Sequence, residues 1–189
     1  RLPHLKFGDR YELKRQLRKG SYARVWECVH KQSQTVYAVK VITREGLQAK
    51  DDEAVLNEVA IMQSLSGNKY TVQLMDFYEE DDHFFLVMEY CAGGDVFDRI
   101  VQYVQYTEND ARALAITLLK AVESLHKVGI AHRDIKPQNL FLLSPTDNST
   151  IRVGDFGFAR RVHTPESLTS RVGTPTYVAP EILKNLPHD

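Results

Sequence analysis

Short runs rich in hydrophobic residues, separated by polar turn residues, occur through the first ninety positions of the chain. Runs of this kind are typical of strands. They predict strands over residues 10–18, 23–30, 35–42, 71–77 and 84–90. The third run, TVYAVKVI, is rich in β-branched and aromatic residues, which favour strands. Between the third and fourth strands, residues 53–65 have apolar positions at helical spacing and predict a helix.

The second half of the chain is organised around a strongly periodic helix. Thr107 and Asp110 have the spacing of a capping pair, and Gly129 lies just past the predicted end. The segment CAGGD, residues 91–95, interrupts the apolar pattern before a helix that starts near Asp95, and it predicts a hinge between two lobes. Short strands are predicted over residues 139–143 and 150–156. The periodic helix repeats apolar residues at Ala111, Leu114, Leu118, Val122 and Leu125.

The composition narrows the classes of function. The 189 residues are 43% hydrophobic and 26% charged, with a net charge of -1, so electrostatics give no reason to expect nucleic acid or an anionic membrane as a partner. No apolar run is long enough to span a bilayer. Cys28 and Cys91 lie far apart in the sequence, which favours a reducing, intracellular compartment, cytoplasmic or nuclear.

Four motifs occur in one order along the chain: AVK at 38–40, HRDIKPQN at 132–139, DFG at 155–157 and APE at 179–181. A single aspartate in a polar loop is more often a turn former than a catalyst, but four ordered motifs are not expected in an unrelated fold. From about residue 10 to its end the chain resembles the eukaryotic protein kinases. The resemblance implies an α+β, bilobal kinase fold, with a complete β-rich small lobe at 1–91 and the first part of the helical large lobe at 92–189.

The resemblance also implies the chemistry of the loop at 132–139. Asp134 is expected to orient a substrate hydroxyl and accept its proton, and Lys136 to stabilise the transferring phosphoryl group. Asn139 and Asp155 are expected to bind Mg²⁺, which prefers oxygen ligands. ATP and Mg²⁺ are therefore the expected cofactors.

Lys40 lies centrally in an apolar strand, where a cation requires a partner. In the family that partner is on the following helix, and the helical phase selects Glu58 rather than Glu53. Glu58 shares a face with apolar residues, so the alternative is that it is an ordinary edge residue of an amphipathic helix. If the two charges pair, rotation of the helix would separate them. The apolar residues on the face of Glu58 are Val55, Met62 and Leu65.

The nucleotide loop departs from the family pattern, because RKGSYARV has Arg18 and Ala23 where the family has glycine and keeps only Gly20. Alanine at that position narrows the allowed dihedrals. The resemblance places Met88 as gatekeeper and implies a stack of Met62, Leu74, His132 and Phe156. It also implies nucleotide contacts from Leu17, Gly20, Val25, Ala38, Lys40, Glu89, Cys91, Asp95, Phe141 and Asp155.

Lys136 and the segment GTPTY at 173–177 resemble serine/threonine kinases, and GSYA and GFAR resemble the calcium/calmodulin-dependent group. Thr174 is then expected to bridge Asp134 and Lys136. Gln138 replaces a glutamate that reads an upstream arginine in substrates, so that preference is expected to be relaxed. Arg133 is expected to bind a phosphate on the segment after DFG. Ser170 is the first candidate for that phosphate, with Thr169 and Ser167 as alternatives.

Three functions stay open from the sequence. The first is a protein serine/threonine kinase, active in its complete form. The second is a nucleotide-binding pseudokinase scaffold, favoured by Arg18 and Ala23, and the third is a truncated interaction protein. The family's large lobe continues beyond the position of Asp189, so these residues alone are expected to be inactive. Calmodulin or a calcium-sensing segment beyond the C-terminus is a further possible partner.

Overall fold

The computed structural model describes residues 5–20, 23–102, 107–164 and 168–188. The chain divides into two compact units. The first contains Arg1–Val59 and Gln73–Tyr90, and the second contains Ala60–Val72 and Cys91–Asp189. Among the described residues, no helix is both long enough and apolar enough to cross a membrane.

The first unit is built on a five-stranded antiparallel sheet with the order β1-β2-β3-β5-β4. A short helix, α1 (Phe7–Arg10), leads into β1. The strands are β1 (Tyr11–Lys19), β2 (Ala23–His30), β3 (Val36–Thr43), β4 (Leu74–Glu79) and β5 (His83–Met88). All five predicted strands are confirmed, and most of their boundaries differ from the predicted ones by one to three residues.

The predicted helix after β3 is confirmed, but α2 (Ala49–Ser64) begins four residues before the predicted start. The carboxylate of Asp51 accepts the Gln48 backbone N–H at 2.9 Å. This bond satisfies one donor at the helix start. Gln48 is not a typical capping residue, so apolar periodicity alone placed the start too late.

The two faces of the sheet carry two hydrophobic clusters, because successive side chains of a strand point to opposite faces. One face carries Ile42, Phe84 and Leu86, which pack with Val55 and Val59 of α2. Lys40 is two residues from Ile42 on β3 and therefore lies on this helix-covered face. The opposite face is covered by α1. Its buried cluster contains Phe7, Tyr11, Cys28, Val39, Tyr78 and Val87.

In the second unit, helix α4 (Glu108–His126) has the predicted N-terminal capping box, in which the Asp110 N–H donates to the Thr107 hydroxyl. Gly129 follows the helix with φ +68°, as expected for a left-handed C-terminal residue. Among the described residues of this unit, the other elements are helices α3 (Val96–Gln102) and α5 (Pro180–Leu183), a 3-10 helix (Pro137–Asn139), and four short strands. The strands pair as β6 (Ile130–Ala131) with β9 (Arg160–Arg161), and β7 (Leu140–Leu142) with β8 (Ile151–Val153).

The strand predicted over residues 71–77 was wrong at its start, since β4 begins at Leu74. Thr71 instead forms a parallel bridge with Val153, and the Val72 N–H donates to the Val153 carbonyl at 2.9 Å. Both residues therefore belong to the second unit. The first two residues of the predicted run therefore bond to Val153 of β8 and do not extend β4, which pairs with β5.

The glycine turn after residue 91 packs directly on β7. The Gly93 N–H donates to the Leu142 carbonyl at 2.9 Å, and the Leu142 N–H donates to the Gly94 carbonyl at 2.8 Å. A Cβ atom at Gly93 would lie 2.5 Å from the Ser144 carbonyl oxygen, so only glycine fits. The buried Arg99 of α3 also donates to the Gly93 carbonyl at 3.1 Å. The turn is thus tied to both α3 and β7.

Candidate active site

The loop between β6 and β7 surrounds one buried carboxylate. Asp134 is 4% exposed. Its Oδ1 accepts a hydrogen bond from the Thr174 hydroxyl at 2.7 Å. Its Oδ2 lies 3.0 Å from the Asn139 amide and 2.8 Å from the Lys136 ammonium. Three donors therefore hold both oxygens in a fixed orientation.

Thr174 lies between the two charged residues, as the family resemblance implies. Its hydroxyl accepts from the Lys136 ammonium at 2.6 Å while it donates to Asp134. Gly173 precedes it with φ +113°, and a Cβ there would lie 2.8 Å from the Arg133 carbonyl oxygen. Glycine is therefore what allows residues 173–174 to approach the loop.

The Asn139 side chain, a predicted metal ligand, is fixed by hydrogen bonds from its amide nitrogen. Its amide nitrogen donates to the backbone carbonyl of Asp134 at 2.9 Å as well as to the carboxylate. Its Oδ1 is buried and accepts no hydrogen bond from the part of the chain that the structure describes. A buried acceptor of this kind requires a partner. The Gly154 N–H donates to the backbone carbonyl of Asn139 at 2.9 Å. Asp155, the other predicted metal ligand, is therefore the residue next to a backbone group that is bonded to Asn139. Two oxygen donors of this type fit Mg²⁺.

His132 links the loop to the segment before Asp155. One ring nitrogen, Nε2, lies 2.9 Å from the Gly154 carbonyl, and the other, Nδ1, lies 3.2 Å from the Asp134 backbone N–H. This pair of bonds requires the neutral ring with the proton on Nε2. Burial lowers the pKa of His132 and outweighs the opposing effect of Asp155 and Asp134. The ring also packs edge-on against Phe156, with centroids 5.0 Å apart. The role of Gly154 as a hydrogen-bond partner of both Asn139 and His132 was missed, and no side-chain signal could have revealed it.

Arg133, which precedes Asp134, and Asp155, one of the two predicted metal ligands, both have left-handed backbone. Arg133 has φ +67° and Asp155 has φ +59°, a region that non-glycine residues rarely occupy and that is common at functional sites. The Arg133 Nε donates to the Phe158 carbonyl at 2.8 Å. Burial, followed by repulsion from Arg160, lowers the pKa of Arg133 to about 10. Ser170 and Thr169 are exposed, and Ser167 lies outside the described residues.

In the first unit, the structure brings Lys40 and Glu58 together. The Lys40 ammonium donates to both carboxylate oxygens, at 2.7 Å and 2.9 Å. Their side chains are 17% and 5% exposed. Glu53, the alternative on the same helix, is exposed. Glu58 is therefore not an ordinary edge residue of an amphipathic helix, because its carboxylate is buried and both of its oxygens accept hydrogen bonds from Lys40.

The predicted adenine-lining residues of the first unit share the face of Lys40. Val25 is directly opposite Lys40 in the β2–β3 register, and Ala38 is directly opposite Met88 in the β3–β5 register. Residues opposite one another in antiparallel strands point to the same face. Leu17 is 39% exposed, and the Gly20 N–H donates to the Ala23 carbonyl at 2.9 Å.

The remaining predicted nucleotide contacts are partly used within the fold. The Glu89 N–H donates to the Gln73 carbonyl at 2.9 Å, and the Cys91 carbonyl accepts from the Gly94 N–H at 3.2 Å. The Asp95 carboxylate accepts the Asp98 N–H at 2.9 Å, so it caps the start of α3. The Phe141 ring lies against the backbone of Gly154. Their contacts with a nucleotide stay a prediction.

Comparison with known proteins agrees with this geometry. The sequence profile of the protein kinase domain matches residues 11–189, so the chain belongs to the protein kinase family. It is 42% identical over 174 residues, 92% of the chain, to the human serine/threonine-protein kinase DCLK3. It is 38% identical over 177 residues, 93% of the chain, to calcium-dependent protein kinase 27 of Oryza sativa subsp. japonica. It is also 38% identical over 181 residues, 95% of the chain, to calcium/calmodulin-dependent protein kinase type 1 of Macrobrachium nipponense. The chain spans 26%, 29% and 52% of the lengths of these three relatives.

Proposed function

We propose that the protein in its complete form transfers the γ-phosphoryl group of ATP to serine and threonine hydroxyls of other proteins. The observation that carries this proposal is the arrangement around Asp134, whose two carboxylate oxygens are held by Thr174, Lys136 and Asn139. Phosphoryl transfer depends on positioning and on charge stabilisation more than on covalent chemistry. The second unit supplies a fixed carboxylate and a cation within one loop.

Asp134 would accept a hydrogen bond from the substrate hydroxyl and take its proton as the new O–P bond forms. Lys136 lies 2.8 Å from that carboxylate and would donate to the transferring phosphoryl group, where negative charge must be stabilised. Thr174 bonds to both side chains and would hold them at a fixed separation. The acceptor class is supported by the name of one relative, the human serine/threonine-protein kinase DCLK3.

Asn139 and Asp155 would hold Mg²⁺ through Oδ1 and a carboxylate oxygen. When bound, the metal supplies positive charge to the phosphate oxygens of ATP. Lys40 would donate to the α- and β-phosphates while Glu58 keeps its ammonium oriented. Val25, Ala38 and Met88 present apolar surface on the same sheet face as Lys40, which supports an adenine contact there.

Two aspects of regulation belong to the same proposal. A phosphate on Ser170 would pair with Arg133, which remains a cation at pH 7 because its pKa is lowered only to about 10. Calcium control, through calmodulin or a calcium-sensing segment, is supported by the names of two relatives.

The location that we propose is intracellular and reducing. Two free cysteines, Cys28 and Cys91, support it.

The proposal is tested by phosphate transfer from Mg-ATP to a basic peptide that contains one serine or threonine. We expect the complete gene product to phosphorylate the peptide, and Asp134→Asn to lower kcat by about 10² to 10⁴-fold, the usual contribution of a positioned proton acceptor. Nucleotide affinity should change little, since Asn keeps the shape of Asp. Asp147→Asn, in the turn between β7 and β8, is the matched control and should keep near-normal turnover. A complete protein that binds Mg-ATP but transfers no phosphate would instead be a scaffold.

A further inference from the structure

Arg44, the first residue after β3, joins three parts of the first unit. Its Nη2 lies 2.6 Å from the Asp52 carboxylate on α2. Its Nη1 donates to the Glu80 backbone carbonyl at 2.9 Å and to the Glu79 carboxylate at 3.3 Å. Its guanidinium carbon lies 4.4 Å from the centre of the Phe84 ring. This arrangement uses both the planar fork and the cation–π contact that distinguish arginine from lysine.

The first part of α2 has little other burial that could fix its position. None of residues 49–54 is buried, whereas Val55, Glu58 and Val59 are. A helix in a protein is held chiefly by the packing of its apolar face, and that face begins only at Val55. Asp52 lies in the unburied part, so the ion pair with Arg44 attaches that part to the sheet.

The two ion pairs of α2 restrain it in complementary ways. Asp52 and Glu58 are six residues apart, which corresponds to about 9 Å along the helix axis and about 120° around it. Contacts at two heights and in two directions oppose both sliding and rotation of the helix. Without the Asp52 contact, only the packing from Val55 onward and the Glu58 pair would oppose rotation of the helix. Rotation is the movement that would separate Glu58 from Lys40.

We propose that Arg44 is a positioning residue for phosphoryl transfer: it anchors the start of α2 through Asp52 and thereby keeps Glu58 paired with Lys40. This inference rests on the proposed kinase function, because its effect on turnover passes through the Lys40–Glu58 pair. Arg44 itself would contact neither nucleotide nor substrate. Asp52, its ion-pair partner on α2, has the same positioning role.

The test measures kcat/KM for ATP in the complete gene product with Arg44→Gln and with Asp52→Asn. We expect a loss of about tenfold for Arg44→Gln and about fivefold for Asp52→Asn, corresponding to the loss of a partly shielded charge pair. Asp52→Asn leaves the contacts of Arg44 with Glu79, Glu80 and Phe84 intact, so it serves even if Arg44→Gln folds poorly. Arg112→Gln breaks an exposed ion pair with Glu108 on α4 and is the matched control.

Repeating the measurement in a Glu58→Gln variant distinguishes an effect of Arg44 on the position of Glu58 from a general loss of stability. In Glu58→Gln, Arg44→Gln should lower kcat/KM further by less than about twofold, because the pair that it positions is already broken. An equal loss in both backgrounds would overturn the inference, as would wild-type turnover in both Arg44→Gln and Asp52→Asn.

Hydrogen exchange gives a readout that does not depend on catalysis. Arg44→Gln should raise amide exchange over residues 49–58 by about fivefold or more while Arg112→Gln leaves it unchanged. If the complete protein transfers no phosphate, the proposed function fails, and this measurement alone decides the inference. Unchanged exchange over residues 49–58 would overturn it.

Discussion

The Lys40–Glu58 pair of the first unit and the Asp134 loop of the second unit are about equally buried but are built differently. Lys40 and Glu58 are 17% and 5% exposed, and Lys136 and Asp134 are 18% and 2% exposed. Desolvation therefore does not distinguish the two sites. The difference lies in what fixes each carboxylate.

Glu58 is positioned by a helix, and Asp134 by its own loop. Within the first pair, the two hydrogen bonds link one strand to one helix. Asp134 instead accepts from Thr174, Lys136 and Asn139, and its own backbone N–H donates to His132. Displacing one helix would break the first site, whereas the second would require several bonds to break together. The first site is thus suited to regulation, and the second to constant geometry.

The largest expected effect that tests this comparison is that of Glu58→Gln. The substitution keeps size and removes the charge, so Lys40 loses its orienting partner inside a shielded site. We expect kcat/KM for ATP in the complete protein to fall by about 10- to 100-fold, or about 1.4 to 2.8 kcal/mol. Steady-state kinetics with a peptide acceptor measure it. Glu53→Gln, on the exposed side of the same helix, should change kcat/KM by less than about twofold. Equal losses in the two variants would refute the assignment of Glu58 to Lys40.

A smaller loss is expected from Thr174→Val, which removes the hydroxyl that bridges Lys136 and Asp134. Because Asn139 still holds Oδ2 of Asp134, the loop should keep most of its geometry, and kcat should fall about tenfold, equivalent to about 1.4 kcal/mol. Thr174→Ser keeps the hydroxyl and should restore most of the turnover. Thr176→Val is a nearby control with an exposed side chain. A loss by Thr174→Val as large as that of Asp134→Asn would mean that the loop is less redundant than its hydrogen bonds indicate.

The same difference explains what the sequence could predict. The family resemblance placed the partner of Lys40 on α2, and helical phase then selected Glu58 over Glu53, because α2 is regular and its buried positions repeat. The bridge through Thr174 could be predicted only by resemblance to a family, since Thr174 is 40 residues from Asp134 and no periodicity relates them. The predicted starts of α2 and of the strand over residues 71–77 were wrong, because both depend on backbone hydrogen bonds that leave no residue pattern.

Arg44 was also missed, for a different physical reason. A basic residue just past the end of a strand is usually solvated, and the sequence does not show that Asp52, Glu79 and Phe84 surround it. The contacts come from the β3–α2 connection and the β4–β5 turn, which the strand pattern places only approximately. Periodicity in the sequence cannot predict tertiary contacts of this kind between polar groups.

The smallest expected effect concerns His132, a buried histidine of the Asp134 loop that has no counterpart in the Lys40–Glu58 pair. Its pKa in the folded protein is lowered, chiefly by burial, below the value near 6.5 of an unfolded histidine. The unfolded state therefore takes up a proton first as the pH falls. Stability is fully present above about pH 6.5 and is lost as the pH falls toward the lowered folded value.

His132→Phe should remove this contribution. Between pH 7.5 and 5.5, the free energy of unfolding of the complete protein should fall by about 1 kcal/mol less in the variant than in the parent, measured by urea denaturation at the two pH values. The variant will be less stable at pH 7.5, because it loses the bonds to Gly154 and Asp134, so the difference between the two pH values is the relevant quantity. His126→Phe, at the exposed end of α4, should leave that difference unchanged. If His132→Phe and the parent lose the same free energy on acidification, the buried neutral imidazole does not contribute to the acid sensitivity of the loop.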